Sequence, residues 1–256
     1  MVPGLGRFVW YELMTTDTEG AKEFYTELIG WKVKTDPSMG YDMWMVGDRG
    51  VGGVMELPTE ARAGGAFPFW LGYVAVKDVD AAADQASKLG GKVYRAPDDI
   101  PGVGRFAVLA DPQGAAFAVY RSNDPQESPG GTGLKTFGWA ELNTTDWKSA
   151  WKFYSALLGW KHTQSMDMGP EFGEYFMFGT DAQNSMGGMS NAASATRVSA
   201  HWLHYIHVPD VDDAVKKIER LGGKVLNGPM EVPGGDRVAQ CRDPQGGHFG
   251  LVTEKR

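Results

Sequence analysis

Residues 8–32 read FVWYELMTTDTEGAKEFYTELIGWK and residues 137–161 read FGWAELNTTDWKSAWKFYSALLGWK, with 14 of the 25 aligned positions identical. Chance would match roughly one or two, so the stretch is one half of an internal repeat. The match resumes further on as Tyr73/Tyr205, Asp78-Val79-Asp80/Asp210-Val211-Asp212, Leu89-Gly90-Gly91-Lys92-Val93/Leu221-Gly222-Gly223-Lys224-Val225 and Asp111-Pro112-Gln113-Gly114/Asp243-Pro244-Gln245-Gly246. The chain is therefore two copies, placed at 1–121 and 134–256. A linker is expected over 122–133, where Ser, Asn, Pro and Gly replace apolar residues.

Each copy divides again into two modules of one pattern: an alternating strand, a helix stopped by Gly, then three strands joined by Gly-rich turns. The modules fall at about 8–57, 68–121, 137–191 and 200–253. In the first, Ala21, Phe24, Tyr25 and Leu28 make one helix face, with Thr16 and Glu19 placed as a capping box and Gly30 as the stop. In the last, Val211, Ala214, Val215, Ile218 and Leu221 make the same stripe, stopped by Gly222. Asp-Pro-Gln-Gly in each copy reads as a hairpin turn into the last strand. Four such modules predict an α+β fold with mixed sheets.

Composition narrows the function. The 256 residues are 42% hydrophobic and 22% charged, a balance that buries a core. A net charge of -7 without any run of Lys or Arg leaves no footprint for a phosphate backbone, so nucleic acid is not an expected partner. No signal pattern opens the chain and no apolar stretch is long enough to span a bilayer, so no membrane partner is expected. The single cysteine, Cys241, forms no internal disulfide and reads as an inert thiol, which fits a reducing cytoplasm. Nine Trp and 12 Met supply large, adaptable contact surface of the kind that lines a ligand cavity.

The series Thr-x-Asp…Ala-x-x-Phe-Tyr…Leu-x-Gly-Trp at 15–31 and 144–160, Val-x-Asp-Val-Asp…Leu-Gly-Gly-Lys-Val at 76–93 and 208–225, and Asp-Pro-x-Gly at 111–114 and 243–246 resembles the vicinal oxygen chelate superfamily of glyoxalases, bleomycin-resistance proteins and extradiol dioxygenases. The resemblance covers nearly the full chain. It implies paired βαβββ modules whose mixed sheets curl into cup-like cavities around a ligand, and it leaves open whether modules pair within or across copies. It also implies a divalent metal held by the first and last strands of each module. The corresponding first-strand positions are Trp10, Leu71, Trp139 and Leu203. The last-strand positions are Ala118 and Gly250, with Glu56 and Asn191 the nearest candidates in the first modules. A catalytic metal takes about three protein ligands, and these positions supply at most one good one, so no metal cofactor is expected.

Strand parity then gives the cavity sets, because residues two apart share a face. They are Phe8-Trp10-Glu12-Met14, Phe137-Trp139-Glu141-Asn143, Phe69-Leu71-Tyr73 and His201-Leu203-Tyr205-His207. The opposite parity, Val9-Tyr11-Leu13 and Trp202-His204-Ile206-Val208, is apolar enough to lie under a helix. Glu12 and Glu141 are the candidate acid–base residues: a carboxylate two residues from a Trp on an apolar face is desolvated, with its pKa raised toward proton transfer. A buried structural acid satisfied by Tyr73, Tyr205 or an Arg fits the same pattern. Trp10, Tyr73, Trp139, Asn143, His201 and Tyr205 are the candidate ligand-binding residues, and His248 the third candidate catalytic group. His204 reads as a core histidine and His162 as an exposed one.

Three readings follow. The first is a small-molecule-binding protein, a monomer or homodimer, whose aromatic cavity takes a small hydrophobic or aromatic molecule without a metal. The second is an acid–base isomerase, lyase or hydrolase using Glu12 or Glu141. The third is a metal-dependent lyase or dioxygenase with a shifted site at His201 and His248. Polar groups fix a ligand's orientation in an apolar pocket. The cup of the second copy, with Glu141, Asn143, His201, Tyr205 and His248, is therefore expected to be the selective one.

Overall fold

A computed structural model describes residues 4–124 and 133–255, so most of the expected linker, 125–132, lies outside the described residues. The first module runs β1 (Phe8–Thr15), α1 (Thr18–Ile29), β2 (Lys32–Asp36), β3 (Tyr41–Val46) and β4 (Arg49–Glu56), with a short α2 (Thr59–Ala63) after it. The second is β5 (Phe69–Ala75), α3 (Val79–Lys88), β6 (Lys92–Ile100), β7 (Gly104–Ala110) and β8 (Ala116–Ser122). The third is β9 (Phe137–Asn143), α4 (Trp147–Leu158), β10 (Lys161–Asp167), α5 (Gly169–Phe172), β11 (Glu174–Gly179), β12 (Gly187–Ser190) and then α6 (Ala192–Thr196). The fourth is β13 (His201–His207), α7 (Val211–Arg220), β14 (Lys224–Glu231), β15 (Arg237–Arg242) and β16 (His248–Thr253). In every module the first strand lies parallel to the last, and the remaining pairs are antiparallel. This is the mixed α+β architecture that the repeat predicts.

All four long helices begin the same way. Asp17, Asp78, Asp146 and Asp210 are the N-caps, each accepting a first-turn backbone N–H with its carboxylate. The capping box expected at Thr16 and Glu19 is thus replaced by Asp17, and Glu19 pairs with Lys22 instead. A short acidic side chain both satisfies an orphan donor and complements the positive end of the helix dipole. Gly30 ends α1 in the left-handed conformation (φ 76°), as the sequence requires.

The described chain forms two compact units, and each takes one module from each copy. The first unit holds the chain up to Val9, the segment from Gly72 into the linker, and Trp139–Trp202; the second holds Trp10–Leu71, the residues just before Trp139, and the chain from Leu203 onward. Modules therefore pair across copies.

In the first unit the Tyr154 hydroxyl of α4 donates to Asp111 Oδ2 at 3.2 Å and accepts from Trp202 Nε1 at 3.0 Å. Asp111 also holds its own Asp-Pro-Gln-Gly turn, accepting from the N–H groups of Gln113 and Ala115. Trp160 donates to the Gly6 carbonyl at 2.7 Å. The core here gathers Phe117, Phe153, Trp160, Phe178 and Trp202, with Phe8 packed against it.

The second unit repeats the same chemistry with the copies exchanged. Tyr25 of α1 donates to Asp243 Oδ2 and accepts from Trp70 Nε1, each at 3.0 Å, and Trp31 donates to the Lys135 carbonyl at 2.7 Å. Phe137 lies in this core, 5.7 Å from Trp31 and 5.1 Å from Trp70 between ring centres. Phe8 and Phe137, assigned above to cavity faces, are thus core residues, because the first turn of each strand packs beneath aromatic rings of the other copy. His204 is fully buried against Tyr11 at 5.0 Å, and burial lowers its pKa to about 3, so it stays neutral. Among the described residues no helix is long and apolar enough to cross a membrane.

Candidate functional site

In the second unit, Tyr11 and Leu13 of β1 are buried, and Tyr11 stacks on Phe137 at 3.9 Å. Strand alternation therefore turns Trp10, Glu12 and Met14 to the opposite face. On β3, Trp44 points into the core, donating to the Gly53 carbonyl at 2.9 Å, while Tyr41 lies on the face of Glu12. Trp10 Nε1 donates to the Tyr41 hydroxyl at 3.0 Å, and that hydroxyl donates to Glu12 Oε2 at 2.6 Å. Glu12 stands opposite Gly53 in the parallel β1–β4 register. A Cβ at Gly53 would overlap the Tyr41 phenol and press on Glu12 Oε1, and one at Gly52 would overlap the Tyr11 carbonyl. Gly53 is what admits the Tyr–Glu contact, and Gly52 admits the close approach of β1.

Glu12 is only 4% exposed, and its Oε1 has no hydrogen-bond partner among the described residues. Burial raises its pKa to about 8, against the opposing effect of the Tyr41 and Trp10 hydrogen bonds. At neutral pH the group is a carboxylic acid, able to give up a proton once a base or an ionising ligand takes it.

The first unit carries the same chain of contacts. Trp139 Nε1 donates to the Tyr175 hydroxyl at 2.9 Å, and Tyr175 donates to Glu141 Oε2 at 3.1 Å. Glu141 stands opposite Gly188, where a Cβ would overlap the Tyr175 ring. The two sites differ in enclosure, since Glu141 is half-buried. Asn143 is buried beside Ser190, and Tyr73 stands opposite Ala118 with its ring 6.1 Å from Phe106. His201 also falls in this unit, its Nδ1 2.9 Å from the Ser199 carbonyl.

Tyr205 and His248 belong to the second unit. Tyr205 stands opposite Gly250 with its ring across that glycine, and its hydroxyl accepts from Gln240 Nε2 at 3.0 Å. His248 pairs with Phe69 of β5. The polar cup expected within the second copy is thus divided: Glu141, Asn143 and His201 lie in one unit, Tyr205 and His248 in the other. Tyr41 and Tyr175 escaped the sequence reading. Extending the repeat through the loops shows the signal: Tyr-x-Met-aromatic at 41–44 and 175–178, each followed by a Gly-Gly pair, at 52–53 and 187–188.

Against known proteins, the sequence model described as the Glyoxalase/Bleomycin resistance protein/Dioxygenase superfamily matches residues 7–119 and 136–249. The chain belongs to that superfamily. "Putative glyoxylase CFP32" of Mycobacterium tuberculosis is 33% identical, over 95% of this chain and 93% of its own length. "Anthracycline biosynthesis protein DauV" of Streptomyces sp. strain C5 is likewise 33% identical, over 96% of this chain and 93% of its own. Among solved structures, the 2,3-dioxygenase LapB from Pseudomonas sp. KL28 superposes with a TM-score of 0.66 at 13% identity, covering 100% of this chain and 94% of that one. The Mn(II)-bound glyoxalase from Novosphingobium aromaticivorans gives 0.62 at 16% identity, covering 98% and 82%. These structural likenesses show a shared fold.

The superfamily's metal finds a poor donor set here. The parallel first and last strands set Glu12 opposite Gly53, Glu141 opposite Gly188, Tyr73 opposite Ala118 and Tyr205 opposite Gly250. Asn191, considered above as a last-strand ligand, instead accepts from the Trp147 N–H at 2.8 Å at the start of α4, and Glu56 is exposed at the end of β4. Among the described residues no three His, Cys, Asp or Glu side chains gather in a group that could hold a metal ion. One carboxylate facing a glycine is not a metal cage.

Proposed function

We propose that this superfamily member is a small-molecule-binding protein that takes a hydrophobic, aromatic compound against the Trp10 and Trp139 faces without a resident metal. The observation that carries the reading is the Trp–Tyr–Glu chain present in both units: a flat apolar wall beside an oriented carboxyl is how a mostly apolar pocket fixes a ligand. The name of the Streptomyces relative ties that protein to anthracyclines, polycyclic aromatic molecules, and agrees with an aromatic ligand. A second reading is favoured by Glu12 alone. Its pKa of about 8 suits a group that exchanges a proton near neutrality, so Glu12 serves as the acid–base residue of an isomerase- or lyase-type step.

Titration of intrinsic Trp fluorescence with naphthoquinone and anthraquinone probes tests the first reading. Saturable quenching is expected, weakened about tenfold by Trp10→Ala or Trp139→Ala, a loss of about 1.4 kcal/mol. Binding that ignores both substitutions would sink it. The second reading requires Glu12→Gln to abolish turnover of a bound probe while leaving its affinity within about twofold. Elemental analysis of chelator-washed protein should find metal well below one equivalent; about one Zn, Fe, Mn or Ni per chain would overturn the metal-free part.

A further inference from the structure

The fourth module differs from its repeat counterpart on one face. On β16, Phe249 packs against Phe24 and Tyr25 of α1, at 6.0 and 5.4 Å between ring centres, and its register partner Cys241 is fully buried. Strand alternation therefore turns His248 and Gly250, with their partners Arg242 and Gln240 on β15, to the opposite face. Tyr205, lying across Gly250 and bonded by Gln240, marks the same face. Gln240, Arg242 and His248 are all half-buried. In the second module the positions equivalent to Gln240, Arg242 and His248 are Val108, Ala110 and Ala116, paired in the same register.

A half-buried guanidinium with no carboxylate partner in its own chain keeps its donors available to a ligand anion. Arg242 is held in the sheet between Lys224 and His248, and among the described residues its guanidinium makes no ion pair or hydrogen bond. Glu12 of the same unit does not serve it, since Glu12 Oε2 is held by the Tyr41 hydroxyl and its Oε1 has no hydrogen-bond partner among the described residues. His248, directly across the strand pair, puts a second potential cation within cross-strand reach rather than an anion. Gln240, whose amide donates to the Tyr205 hydroxyl, stands on the same face beside them.

We propose that the Arg242–His248–Gln240 face of the second unit is a carboxylate-recognition subsite, so that the ligand taken by this unit is an aromatic acid. The planar guanidinium presents two parallel N–H donors that match the two oxygens of a carboxylate. The first unit has Ala110, Ala116 and Val108 at the equivalent positions, and the guanidinium on that face, Arg95 opposite Val108, is already paired with Asp98 and lies over Phe106, so the two units differ in selectivity as a result. This deepens the binding reading above and rests on it.

Isothermal titration of the full chain with 2-naphthoate and with 2-naphthamide, which share one ring system and differ in charge, tests it. The acid is expected to bind at least about tenfold more tightly than the amide. Arg242→Ala, which installs the residue found at the equivalent position of the other module, should bring the two affinities together, and His248→Ala should narrow the gap. Arg242→Gln, which keeps a long polar side chain in the strand, should act like Arg242→Ala if the charge is what matters. Equal binding of both probes by the wild-type chain, or a preference for the acid that survives both Arg242 substitutions, would overturn the carboxylate subsite and leave the aromatic-binding reading standing. Binding of neither probe would overturn both.

Discussion

Glu12 couples the candidate site to stability in a way that pH can read. Its carboxyl ionises near 4.5 when unperturbed and near 8 in the folded chain, where burial outweighs the Tyr41 and Trp10 hydrogen bonds. Between those values the unfolded chain has released this proton and the native chain has not. Stability contributed by Glu12 is therefore fully present below pH 4.5 and is lost as pH rises toward 8, after which both states are ionised and the loss stops. At about 1.4 kcal/mol per pKa unit, the whole effect is on the order of a few kcal/mol. Glu12→Gln keeps the shape and removes the titration, so the urea midpoint of the wild type should fall relative to that variant across pH 5 to 8. Parallel midpoint profiles would show that Glu12 does not ionise near 8 in the folded chain. Glu12 was readable in the sequence as a desolvated acid, because a carboxylate between a Trp and a Met on an alternating strand has few polar neighbours. Its partner was not readable, because Tyr41 reaches it through sheet register across three strands, which local spacing does not encode.

The β1–β4 pair shows the same division between what periodicity reveals and what register adds. Alternation put Tyr11 and Leu13 in the core, where both are buried, and Trp10 and Glu12 meet through the Tyr41 hydroxyl. The terminal Phe8 broke the pattern because it packs against Trp160 and Trp202 at the strand entry, at 6.1 and 5.2 Å. Gly52 and Gly53 stand in β4 against β1 and β3. In the fold they are two distinct clearances, one for the Tyr11 carbonyl and one for the Tyr41 phenol. Gly53→Ala should force Tyr41 off Glu12 at a cost of about 1–3 kcal/mol, the usual range for overpacking. If the phenol is the obstacle, the same change made on a Tyr41→Ala background should cost markedly less, a coupling that a double-mutant cycle reads directly. An undiminished cost on that background would place the clash elsewhere.

The two-copy architecture was legible because the repeat is strong, whereas the partnership of its modules was not, for a chemical reason. Tyr25 and Tyr154 are equivalent, as are Asp111 and Asp243, so a Tyr–Asp bond within a copy would use the same groups as one across copies. Only the fold distinguishes them: Tyr25 bonds Asp243 and Tyr154 bonds Asp111. Trp31 and Trp160 make the same exchange, each donating to a backbone carbonyl just ahead of the other copy's first strand. A copy cut away from its partner therefore loses a buried Tyr–Asp bond, a Trp donor's acceptor and the aromatic rings that cover its leading Phe. Each buried polar group left unpaired costs about 1–3 kcal/mol, and the marginal stability of a domain this size does not absorb several. Residues 1–126 and 130–256 expressed separately should then fail to unfold cooperatively as monomers, although each copy carries the motifs to associate with a second copy of itself. Co-expressed with a tag on one fragment only, the two should co-purify and recover the cooperative transition of the intact chain. The equivalent of Tyr25→Phe in one fragment should weaken that recovery without abolishing expression. If both fragments prove to be soluble monomers with complete cooperative transitions, pairing across copies contributes nothing essential and each copy holds its own core.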